Sequence, residues 1–136
     1  MTSSFIESID IPEETQFFKK IGDMRAAFSL PVLRKNQPLK TVITEQLTSG
    51  SMVPIKKSKN YTIVSTQEIY DSFENENIDQ ILNRWIKDAD KRTILLSPGN
   101  YGAVCIKFNK NSDHSSGRIA FKIALIYRDT NLNEPV

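Results

Sequence analysis

Residues 101–109, YGAVCIKFN, and residues 118–128, RIAFKIALIYR, decide the fold class of this chain. In the first stretch Val104, Ile106 and Phe108 alternate with Ala103, Cys105 and Lys107. In the second, Ile119, Phe121, Ile123, Leu125 and Tyr127 fall on one side. Alternation with a period of two predicts strands, and the polar run between them predicts an antiparallel hairpin. That run, Asn109 to Gly117, carries the single histidine, His114, which reads as a solvated loop residue.

Upstream the periodicity is helical. Phe17, Ile21, Met24 and Phe28 form one stripe. Asp10 is placed to cap its start, Pro12 suits a first turn, Glu13 can reach back, and Pro31 ends the helix. Leu39, Val42, Ile43 and Leu47 share the face of a second helix, which starts near Pro38 and closes at Gly50. Tyr61 to Val64 is a short β-prone run. Ser65 to Glu68 has capping-box spacing ahead of Ile69, Tyr70 and Phe73, which predicts a short helix. Asn77 to Gln80 repeats the pattern before Ile78, Ile81, Leu82, Trp85 and Ala89. Helices followed by a hairpin favour an α+β fold with helices on a small antiparallel sheet over a doubly wound arrangement. The aromatics Phe17, Phe28, Phe73 and Trp85 are expected in the core.

The 136 residues suit one domain. Its expected extent is 14–130, with residues 1–13 and 131–136 as tails. A net charge of +2 is too mild to imply nucleic acid. No apolar run approaches the roughly 20 residues of a membrane span. Charge is unevenly spread. Arg34, Lys35, Lys40, Lys56, Lys57 and Lys59 lie between residues 31 and 60, and Glu68, Asp71, Glu74, Glu76 and Asp79 lie between 61 and 80. These are either two solvated faces of opposite sign or, for the first, a basic ligand surface. The acidic run has the look of a charged helix surface.

One histidine and one cysteine cannot supply the usual three or four zinc ligands, so no metal and no cofactor is expected. Cys105 sits in an apolar strand with no second imidazole to serve as a base, which makes it a packing residue. A Ser–Lys pair such as Ser58 and Lys59 consists of neighbours that point apart on an extended segment.

Several segments stand in the order found in the CAP superfamily, which groups cysteine-rich secretory, antigen 5 and pathogenesis-related proteins. Met24 to Phe28 with Leu30-Pro31-Val32-Leu33 resembles the family's first helix and its Leu-Pro-x-Leu link. Ser58-Lys59-Asn60-Tyr61 stands where the family has Gly-Glu-Asn-Ile. Trp85 to Arg92 with Ile94-Leu95-Leu96 is similar to the bacterial segment that holds Ser-x-x-His-Arg. Tyr101-Gly102-Ala103-Val104 is similar to the strand after it. The resemblance spans residues 14–128 and implies a CAP-like α-β-α sandwich.

In the same alignment Lys59 replaces a cleft glutamate and Lys91 a cleft histidine, and the first cleft histidine has no counterpart. An ammonium has no lone pair and repels a divalent cation. The resemblance therefore implies a scaffold without the family's metal centre. Lys59, Asn60, Lys91 and Arg92 would instead converge on an anion-receptive cleft. The competing reading pairs Lys91 and Arg92 with Asp88 and Asp90 on their own helix end. The Lys-, Asn- and Ile-rich composition resembles surface lipoproteins of Borrelia-type spirochaetes, in which a lipid anchor precedes the mature domain. The resulting expectation is a monomeric, non-enzymatic, secreted or surface-displayed binding module. It would take a host or extracellular component, or a small anionic, lipid-like or sterol-like ligand. A hydrolase with an unrecognised Lys or Ser site, and a structural surface antigen without a pocket ligand, are the alternatives.

Overall fold

A computed structural model describes residues 10–50, 61–109 and 115–128. Helix α1 covers Pro12–Ala27 and is followed by the two-residue strand β1, Arg34–Lys35. Helix α2 covers Gln37–Ser49 and leads to the long strand β2, Tyr61–Glu74. Helices α3, Ile78–Lys87, and α4, Ala89–Leu95, precede the hairpin of β3, Tyr101–Phe108, and β4, Ser116–Arg128. The class is α+β. The four strands stand in the order β1-β3-β4-β2, with β1 parallel to β3 and the other neighbours antiparallel. The sheet is therefore mixed, where a purely antiparallel one was expected, because Arg34 and Lys35 add an edge alongside Tyr101 and Gly102.

Alternation along β3 and β4 divides the core in two. Val104, Ile106, Phe121 and Ile123 face α1, α3 and α4, where they meet Phe17, Ile21, Trp85 and Leu95. Phe17 meets the Trp85 ring edge-on, with centroids 5.2 Å apart. Ala103, Cys105, Ala120 and Ala124 face the other way, toward Leu39, Ile43 and Leu47 of α2. Helices thus cover both faces of the sheet, which is an α-β-α sandwich. The small side chains on the second face let α2 lie close over β3 and β4.

The expected helix after Ser65 does not form. Residues 61–74 are one strand paired with β4 throughout, with an irregularity between Ile63 and Ser65. The physical reason lies in the spacing. Ile69 and Phe73 are four apart, which places them on one side of a helix and also on one side of a strand. Pairing with β4 decides between the two. Of the acidic run, Glu68, Asp71 and Glu74 consequently lie on an edge strand and Glu76 in the following turn, and only Asp79 lies on a helix, in the first turn of α3. Phe73 is buried from β2, whereas Phe28 is 60% exposed just beyond α1, contrary to its expected core role. The folded part also begins before residue 14. Ile11 is the N-cap of α1, and Glu14, not Glu13, reaches back to accept its N–H at 2.9 Å. Asp10 is engaged by Lys35 and Lys40 instead of capping the helix.

Other signals correspond to the elements observed. Asn36 caps α2, Gly50 closes it at φ 76°, and Asn77 and Gln80 form a reciprocal capping box on α3. Gly117 is required by close approach, since a Cβ there would stand 2.2 Å from the Lys107 carbonyl oxygen. Among the described residues no helix is long and apolar enough to cross a membrane.

Candidate functional site

Of the four residues expected to form an anion cleft, Lys59 and Asn60 lie outside the described residues. Lys91 and Arg92 open α4, but neither pairs with Asp88 or Asp90. The Asp88 carboxylate accepts instead from the backbone N–H groups of Asp90 and Lys91 as the N-cap. Lys91 Nζ donates to Asp71 Oδ2 at 3.1 Å, and Arg92 Nη1 donates to the Ile86 carbonyl at 3.0 Å. His114 also lies outside the described residues.

Asp71 is a hub. Its Oδ2 also accepts from Arg84 Nη1 at 2.5 Å and Trp85 Nε1 at 2.8 Å, and its Oδ1 accepts the Ser72 N–H. Burial alone would raise this carboxyl. The hydrogen bonds from Arg84, Trp85, Lys91 and the Ser72 N–H outweigh it and hold the pKa down at about 2. Lys91 is thereby a brace between α4 and β2, and Arg84 extends the network to Glu76.

A second network fills the space between α1, α2 and β3. Lys40 Nζ donates to Asp10 Oδ1 at 2.9 Å, Glu14 Oε1 at 2.6 Å and the Val104 carbonyl at 2.8 Å. Glu14 Oε2 accepts the Ile106 N–H at 2.7 Å. Two members of the basic run, Lys35 and Lys40, are thus committed to internal pairing. Cys105 is buried beside Thr44, which donates to its sulfur at 3.6 Å, and burial pushes its thiol upward. This is a packing position, in line with its strand setting. Among the described residues no group of three or more His, Cys, Asp or Glu side chains is placed to hold a metal ion.

The open feature lies on the α2 side of the sheet. Because α2 packs over β3 and β4, its C-terminal end leaves a groove of about 360 Å³ beside β2, bordered by Leu47, Gly50, Tyr70, Ser72 and Arg118 among others. Burial, and then the charge of Glu68, raise the Tyr70 phenol to about 12, so it stays a neutral donor. Arg118 stands opposite Ser72 in the β2–β4 ladder. Its guanidinium makes no hydrogen bond or ion pair among the described residues. The sequence reading missed this groove because it placed Tyr70 and Ser72 on a helix. Read as a strand, Glu68, Tyr70 and Ser72 alternate with Ile69, Asp71 and Phe73 and present a polar outer side.

No family model and no curated protein matches the chain, so membership of the CAP superfamily is not shown. Among solved structures the chain is similar to an outer surface protein from Borrelia burgdorferi. The TM-score is 0.65 and the identity 13%, over 86% of this chain and 96% of that one. At that identity the similarity is one of fold.

Proposed function

We propose that the chain is a non-enzymatic, surface-displayed binding module on a CAP-like scaffold, taking a host or extracellular component or a small anionic or lipid-like ligand. One contrast carries this reading. Among the described residues, the groups best suited to covalent or acid–base chemistry are engaged within the fold, while a groove with polar donors opens to solvent. Lys91 braces Asp71, Lys40 neutralises Glu14, and Cys105 is buried. A general base or nucleophile has to be within reach of a substrate and free to change protonation state. The similarity in fold to an outer surface protein supports display at a surface. A lipid anchor ahead of the domain belongs to the same proposal.

The test immobilises the chain and presents purified serum and extracellular-matrix proteins and sterol-containing vesicles. Ester, peptide and glycoside hydrolysis is assayed in parallel. Saturable binding without turnover is the expected result. Turnover that follows the protein through repurification, or the absence of any saturable ligand, would overturn the reading.

A further inference from the structure

The cross-strand rows on the outer side of the sheet differ in one telling way. In the row through Glu68 and Lys122, opposite charges face each other and pair. Further along β4, Arg118 faces Ser72 on one side and Lys107 on the other. Two cations directly opposite in a ladder destabilise it unless an anion lies between them. Neither Lys107 nor Arg118 has an ion pair among the described residues, and Glu74, further along β2, pairs with neither. The position that would complete the row with an acid holds the hydroxyl of Ser72. Within this row the donors lack an acidic acceptor, and Asp71, which also borders the groove, is already engaged by Arg84, Trp85 and Lys91.

This row adjoins the groove, whose border supplies the Leu47 side chain and the Tyr70 ring as apolar surface and the Tyr70 hydroxyl as a further donor. Its size falls within the range of small-molecule sites, roughly 300–1,000 Å³. We infer that the groove binds an amphipathic small molecule ending in a carboxylate, with the oxyanion held by Arg118, Ser72 and Lys107 and the apolar body lying against Leu47 and Tyr70. Guanidinium and ammonium donors favour such a group through charge-assisted hydrogen bonds. The assignment rests on the binding-module reading and names its ligand class. It places the anion site on the α2 side of the sheet, whereas Lys91 is committed to Asp71 from the opposite side.

The experiment is calorimetric titration of the full chain with sodium octanoate below its micelle concentration. Octanol supplies the same chain without charge, and acetate the charge without the chain. One saturable octanoate site is expected, with octanol and acetate weaker by about tenfold or more. Arg118→Gln should lose about tenfold in octanoate affinity, and Lys107→Gln a smaller factor. Both residues are exposed, so unchanged thermal unfolding of the variants checks the fold. Absence of an octanoate site, equal binding of octanol, or unchanged affinity in Arg118→Gln overturns the inference. If octanoate fails while a protein or vesicle still binds saturably, the ligand class is wrong and the binding-module reading stands. Octanoate binding accompanied by hydrolytic turnover has the reverse meaning.

Discussion

Lys40 and Asp71 show how single charged residues hold this molecule together. Lys40 is 5% exposed and sits between two carboxylates and a carbonyl. Removing one partner of a buried ion pair leaves the other charge uncompensated, at a cost of about 3–5 kcal/mol. Lys40→Met should therefore lower the unfolding free energy by that amount in urea titrations, because Glu14 would remain buried. Asp71 makes a pH prediction. Its folded pKa of about 2 lies below the ordinary 3.8. The group binds protons more readily in the unfolded chain, so its stabilisation is complete above about pH 4 and is lost as pH falls toward 2. In Asp71→Asn that acid limb should be shallower than in wild type when urea midpoints are compared between about pH 4 and 2. Neither role was legible beforehand. Lys40 looked like one of a run of surface bases and Asp71 like one of a run of surface acids. Their partners lie far along the chain, and spacing cannot report that.

At the scale of elements, local signals succeeded where the chemistry is local. The Asn77–Gln80 box closes both ways, with each side chain accepting the other residue's N–H at 2.9 Å. Asn77→Ala should cost about 1 kcal/mol in thermal or urea unfolding, the usual penalty for losing a cap. The same pattern at Ser65–Glu68 misled, since a cap signal is worth about that much and the pairing of β2 with β4 involves the whole strand. The misassigned strand also hid the groove, because Tyr70 and Ser72 acquire a common outer side only when β2 is extended. The hairpin was legible from alternation, and the second helix from its helical spacing between Pro38 and Gly50, though its cap at Asn36 emerged only in the structure.

For the molecule as a whole, Arg25 ties the first helix to the turn after the last one. It is 1% exposed, and its guanidinium donates to the carbonyls of Leu95 at 3.0 Å, Ser97 at 2.8 Å and Gly99 at 3.3 Å. These acceptors include the C-terminal end of α4, where a cation is favoured. Arg25→Met should destabilise by about 3 kcal/mol, since buried carbonyls would lose their donors. Amide exchange should rise most at residues 94–100, and uniform exchange across the chain would contradict this role. The stripe Phe17, Ile21, Met24 carried a hint, as Arg25 is four residues past Ile21 and faces inward with it. The amino-acid order by itself determined the α+β class, the hairpin, the starts of α1 and α3, both ends of α2 and the scarcity of histidine and cysteine, all of which depend on composition or on neighbours within a turn, whereas the break at Asp88 between α3 and α4 was not read. Only the tertiary structure decided that residues 65–73 are extended, which charges cancel inside, and that Arg118 and Lys107 share a row without an acid. Those outcomes are set by contacts between distant segments, where hydrogen-bond pairing and desolvation outweigh local preference.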